Sequence, residues 1–175
     1  MTALFGIGSK VVHPCYGAGT IVRIQEKAIG ETNNAYYIIR PISRDMQLMV
    51  PVDRAHEVNL RPIGDLAHLR EALREPCEPA QEIAPLDLRQ RQTAMRARLK
   101  SGSFGEVVRV TRLLYAMSTK RPLGSVDREL LEQGKAFLAS ELALAAEVEM
   151  AEALQEVEAT LQQALEPPQE TDPTP

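Results

Sequence analysis

Arg89, Arg91, Arg96, Arg98 and Lys100 place five cations within twelve residues, behind Asp87 and Leu88. At that density guanidinium and ammonium groups suit one chemistry above others, the neutralisation of phosphates, because each contact releases a condensed counterion from a nucleic-acid backbone. Leu88 at the head of the run adds a second capability: flanked by arginines, it can wedge at the minor-groove edge of an unstacked base step while the cations hold the backbone. The same residues also fit a solvated helical face balanced by an acidic tail, with Leu88 as a core or staple residue. Charge alone leaves both readings open.

Catalytic chemistry has little to work with. His13-Pro14-Cys15 sets an imidazole and a thiol two residues apart, but Pro14 fixes an extended turn, and neither His56 nor His68 completes a ligand pair with them or with Cys77. Gly17-Ala18-Gly19 lacks the third glycine and the following helix that phosphate loops use, and reads as a strand-entry turn. No nucleophile elbow or Walker loop occurs. The expectation is a non-enzyme with no cofactor and no metal.

The basic run needs an element to present it. Asp87 can cap a helix from Leu88 to Lys100, with Leu88, Met95 and Leu99 as its apolar line. The positive charge continues to Arg121, giving a net +8 over residues 89–121, whereas residues 122–175 carry −10. The overall charge of −4 conceals this segregation. No apolar run approaches the roughly 18 residues needed to cross a bilayer, and the two cysteines do not make a disulfide framework. With no secretory signal at the amino terminus, a soluble, cytoplasmic protein is expected.

Upstream of the helix the chain punctuates as strands: Ser9–His13, Gly19–Lys27, Ala35–Pro41 and Met46–Val52 are rich in Val, Ile and Tyr and separated by turn chemistry, including Gly30-Glu31-Thr32-Asn33-Asn34 as a hairpin tip. Imperfect alternation from Thr20 to Gln25 predicts a bulge. Strands of this length would curl into an SH3-like barrel. Pro51 lacks an amide hydrogen, which puts Met46–Val52 at a sheet edge or makes it an ordinary strand ended by proline; an edge can recruit another protein's strand.

Downstream everything reads as helix. Asp65 caps Leu66–Glu75, and Pro76, Pro79 and Pro85 stiffen a linker. Ser103 and Glu106 form a capping box for a helix to about Ser118, Ser125 caps a long helix, and Leu154, Val157, Leu161 and Leu165 mark a final docking helix or, spanning under three heptads, a short coiled-coil face. The fold class expected is α+β, a Tudor- or SH3-like barrel followed by an all-α bundle, divided as residues 1–62, a connector at 63–85, a helical domain at 86–165 and a disordered acidic tail at 166–175.

Three segments together resemble the CarD/CdnL family of bacterial RNA polymerase-binding transcription regulators. They are Phe5-x-x-Gly8-x-x-Val11-Val12-x-Pro14-x-x-Gly17-x-Gly19 with Tyr36-Tyr37 and Val50-Pro51, the basic helix ending Leu99-Lys100-Ser101-Gly102, and Arg121-Pro122-Leu123 leading through Leu130-Leu131 to Leu138-Ala139-Ser140-Glu141-Leu142-Ala143-Leu144. The resemblance implies that the edge strand, Met46, Gln47, Leu48, Met49, Val50 and Pro51, with Lys27, binds the RNA polymerase β subunit. It implies that Leu88, Arg89, Arg91, Arg96, Arg98 and Lys100 meet promoter DNA at the upstream fork, largely without reading sequence, and modulate open-complex stability in a monomer that touches no membrane. Leu88 stands where many members carry a wedging tryptophan, and Met49 where an arginine is expected. The alternatives are an adaptor with a non-polymerase partner and an RNA-binding protein, although Tyr16, Tyr36 and Tyr37 make a sparse aromatic platform.

Overall fold

The computed structural model describes residues 4–75, 80 and 82–166. The expectations for Pro76, Cys77 and Pro79, and for the tail from Pro167 onward, lie outside the described residues.

Five strands form one antiparallel sheet: β1 (Lys10–His13), β2 (Gly17–Ile29), β3 (Thr32–Pro41), β4 (Leu48–Pro51) and β5 (Arg61–Pro62), in the order β4-β3-β2-β1-β5. The long hairpin turns on Gly30 and Glu31 alone, because Ile29 pairs with Thr32 and Gly30 takes φ +68°; Thr32, Asn33 and Asn34 therefore belong to β3 rather than to the tip. Register slips between Ile21 and Arg23, so the expected bulge falls on Val22. Ile21 is fully buried while Val22 stays at the surface.

The sheet does not close into a barrel, contrary to the sequence expectation. β4 and β5 are its two edges and do not pair with each other among the described residues. Strands of four and two residues are too short to reach around and complete a ladder. A 3₁₀ turn at Val52–Arg54 and the loop behind it bring Ala55 and Leu60 into the space between the edges, where they join Val11, Ile21, Tyr37, Ile39, Leu48 and Val50 in the sheet's apolar core. Side-chain packing fills that end, with no β4–β5 ladder among the described residues.

Five helices follow: α1 (Leu66–Arg74), α2 (Leu88–Leu99), α3 (Phe104–Lys120), α4 (Ser125–Ala146) and α5 (Met150–Gln163). Asp65 accepts from the amides of Ala67 and His68, Asp87 from Gln90, and Ser103 from Glu106, so these caps satisfy donors that the first turns leave orphaned. Ser125 is the first helical residue of α4 rather than its cap; Gly124 holds the cap position. Leu69, Leu73, Met95, Leu99, Val110, Leu114, Leu138, Leu142, Val157 and Leu161 share a second core, and α5 docks on α4 as its apolar spacing predicts. Arg112 reaches from α3 to the carbonyls of Leu73 and Glu75, supplying donors where α1 runs out of them.

The C-terminal half of α4 carries the sheet. Ser140 Oγ accepts from the Ala18 amide at 3.0 Å, and Gly17, at φ +79°, passes so close that a Cβ there would sit 2.8 Å from Ser140 Oγ. Glu141, with its side chain 3% exposed, takes both Arg61 guanidinium nitrogens at 2.7 and 2.8 Å and the Gly64 amide at 2.9 Å. Arg61 Nε donates to the Gly102 carbonyl at 2.6 Å, so one side chain ties β5 to α4 and to the α2–α3 turn. Lys10 adds bonds to the Leu144 carbonyl at 2.9 Å and to Glu147 at 3.1 Å, a cation at the negative end of α4.

Candidate nucleic-acid interface and sheet edge

The five cations of α2 do not share a face. At about 100° per residue, Arg89, Arg96 and Lys100 fall within about 40° of arc, whereas Arg91 and Arg98 lie roughly half a turn away, beside Met95 and Leu99. The structure follows that division. Arg89, Arg96 and Lys100 are exposed and have no ion-pair partner among the described residues. They make a stripe about 16 Å long, at about 1.5 Å of rise per residue.

Arg91 turns inward. Its side chain is 10% exposed and donates through Nη2 to Asp127 of α4 at 3.1 Å, while Gln92 donates to the other Asp127 oxygen at 2.9 Å. The carboxylate and the guanidinium offset each other's charge at a site where removing either partner would leave a buried charge uncompensated. Arg98, 29% exposed, meets Glu82 at 2.7 Å and Glu106 at 3.0 Å, and Arg109 reaches the same two carboxylates at 3.3 Å. Glu106, expected to complete a capping box, is engaged by these arginines, and the Ser103 amide bonds Ser101 Oγ. The Glu82 carboxyl is held below its ordinary range by a hydrogen bond with its own backbone and by the Arg98 and Arg109 guanidiniums, against the opposing pull of desolvation.

Leu88 lies on the same line as Met95 and Leu99 but one turn beyond the core, and is 58% exposed. It rims a groove with Gln92, Met117, Arg121, Pro122 and Ser125. Arg121, exposed in that groove, escaped the sequence reading of the site, as did Asp127 and Glu82. Asp127 lies 36 residues from Arg91, a separation at which no local pattern operates. Arg91 itself carried a signal, since it stands four residues before Met95 and eight before Leu99, inside the apolar line.

In the sheet, β4 forms an open edge. Leu48 pairs with Ile39, Met49 with Ile38, Val50 with Tyr37 and Pro51 with Tyr36. Leu48 and Val50 point into the core, and Met49 is 44% exposed on the opposite side. Met46 is half-buried and Gln47 exposed ahead of the strand. Beyond Pro51 the open edge passes to β3, and Lys27, exposed on the neighbouring strand, lies opposite Asn34 there.

His13 and Cys15 form a local turn: His13 Nδ1 accepts from the Cys15 amide at 3.1 Å, its ring packs against Tyr16, and burial lowers its pKa. Among the described residues no group of three or more His, Cys, Asp and Glu could hold a metal. Among them, too, no helix is long and apolar enough to cross a membrane.

An open strand edge on the sheet and a cationic helix in the bundle are thus joined through the Arg61–Glu141 bridge. Comparison with known proteins places the chain. Residues 5–64 match the family model for the CarD-like/TRCF RID domain, and residues 71–158 match that for the CarD C-terminal domain. YdeB of Bacillus subtilis (strain 168), a candidate transcription factor, is 30% identical over 139 residues, which span 79% of this chain and 90% of that protein. The chain belongs to the CarD family, a transcription-factor type and not an enzyme class.

Proposed function

We propose that the protein docks on the β subunit of RNA polymerase through its sheet edge and holds promoter DNA at the upstream fork through α2, shifting the balance between closed and open complexes. In this reading Leu48–Pro51 adds a strand to the partner's sheet, and Met49 and Lys27 choose the partner. Residues 1–62 form the docking unit, 63–85 the connector and 86–165 the DNA unit. Arg89, Arg96 and Lys100 hold phosphates without reading sequence, and Leu88 wedges where the first base step unstacks. Arg91 and Arg98 hold α2 in place. The protein acts as a monomer in the cytoplasm, at the polymerase.

The observation that carries this reading is that Arg89, Arg96 and Lys100 are exposed and have no ion-pair partner among the described residues, on a helix whose other two cations pair with carboxylates of neighbouring elements. Differential affinity suffices as mechanism: a preference of about 1.4 kcal/mol for the melted state raises the open-to-closed ratio tenfold. The test is co-purification with core polymerase. Met49→Asp should lose the β subunit while the variant R89Q/R96Q/K100Q keeps it; equal recovery of β by both would remove the edge strand from the account.

A further inference from the structure

Arg98 and Arg109 belong to different helices, yet both reach one carboxylate. Arg98 Nη1 lies 2.7 Å from Glu82 Oε1, and Arg109 Nη2 lies 3.3 Å from both Glu82 oxygens. Two guanidiniums bracketing two coplanar oxygens is the arrangement with which arginine also recognises a phosphate. Glu82 sits on neither helix; it comes from the turn ahead of α2 and is half-exposed. Glu106, by contrast, lies in the first turn of α3, where it is anchored and favoured by the helix dipole. Glu82 is also held by a hydrogen bond with its own backbone, but of the two carboxylates it is the more exposed, and solvent-exposed pairs of long side chains hold weakly against a competing anion, so it is the one a phosphate displaces from the guanidiniums.

We infer that Arg98 and Arg109 form a second site for a nucleic-acid backbone phosphate, and that Glu82 occupies it in the free protein. The inference rests on the DNA-binding reading of α2. The site lies on the flank of α2 opposite Arg89, so it takes a different stretch of backbone from the one held by the stripe. Glu82 then acts as a mask: it engages both guanidiniums until a strand is close enough to displace it.

The mask makes a gain-of-function prediction. Removing the Glu82 charge makes the group more positive by one and removes the competitor for one phosphate contact, while Glu106 stays paired with both arginines. For duplex DNA one added contact steepens the dependence of log K on log salt by about 0.9, so an affinity gain measured at 50 mM salt shrinks by about 3.5-fold at 200 mM. The measurement is fluorescence anisotropy of a labelled forked duplex titrated with the full chain over that salt range. Glu82→Gln should bind more tightly than the unmodified protein with the steeper slope, and the gain should vanish in the R98Q/R109Q background. If Glu82→Gln leaves affinity and slope unchanged while R89Q/R96Q/K100Q loses binding, the masked site is wrong and the stripe stands. A gain that persists in the R98Q/R109Q background also overturns the site, because it would be general electrostatics. If the unmodified chain shows no salt-dependent binding at all, the DNA-binding reading fails first, and this inference with it.

Discussion

Arg91 Nη2 and Asp127 Oδ2 stand 3.1 Å apart with both side chains buried, so an arginine from the centre of the basic run ends up joining α2 to the first turn of α4. That contact sets the direction in which α2 presents everything else. With Arg91 held inward, Leu88, one turn earlier, is left at the surface, and Arg89 and Arg96 face outward.

Breaking this pair should cost stability rather than phosphate contacts. Asp127→Asn leaves a buried guanidinium without its counter-charge, for a loss of about 3 kcal/mol. In a chain of this size that lowers Tm by roughly 6–12 °C. Thermal melts should show the drop, and the salt slope of DNA binding by the folded variant should be unchanged.

The stripe should behave in the opposite way. R89Q/R96Q/K100Q removes three exposed charges that have no ion-pair partner among the described residues, so unfolding should change by no more than about 0.5 kcal/mol per site. DNA binding should lose about 2.7 from its salt slope, roughly 0.9 for each phosphate released. Salt titrations beside urea melts separate the two effects.

His13 gives a pH dependence of stability. Burial lowers its pKa in the folded chain, and its Nδ1 is already used as acceptor for the Cys15 amide. The unfolded chain therefore binds the proton more readily, with its pKa near about 6.5. Stability contributed by neutral His13 should be complete above that value and fall as pH drops below it towards the folded pKa. Melting between pH 7.5 and 5.5 should show the decline, and His13→Asn should flatten it.

Gly17→Ala should fail for two independent reasons. The position has φ +79°, which an L side chain rarely adopts, and the added Cβ would stand 2.8 Å from Ser140 Oγ at the sheet–α4 contact. A destabilisation of about 2 kcal/mol or more is expected, read as a lower denaturation midpoint. Gly30→Ala also sits at positive φ but meets nothing within 4 Å, and should cost less.

What could be read from the residues and what could not divides by distance along the chain. The strands, an irregularity between Thr20 and Gln25 and the caps at Asp65, Asp87 and Ser103 are local: they follow from alternation or from a side-chain acceptor beside orphaned amides, whereas the missing amide hydrogen at Pro51 fits a sheet edge and an ordinary strand end alike, and only the strand order puts β4 at the edge. The open sheet was not legible, because closure depended on whether residues 55–60 would pair or pack, and Ala55 and Leu60 pack. The split among the five cations was half legible: the helical angles of Arg91 and Arg98 marked them as turned towards the core. Their partners did not, since Asp127, Glu82 and Glu106 lie on other elements. Glu141 was noticed only within a resembling segment, and its role as the carboxylate that joins the two units required the fold.

The central claim is that one body couples a polymerase-docking edge to a phosphate-holding stripe. It is tested most directly by the lifetime of promoter open complexes challenged with a polyanion, in the presence of the unmodified protein or R89Q/R96Q/K100Q. The account predicts that the unmodified protein changes this lifetime, and that the variant, while still retained on the β subunit, returns it to the value found with no protein added. A variant that stays bound to polymerase and changes the lifetime as much as the unmodified protein would contradict it.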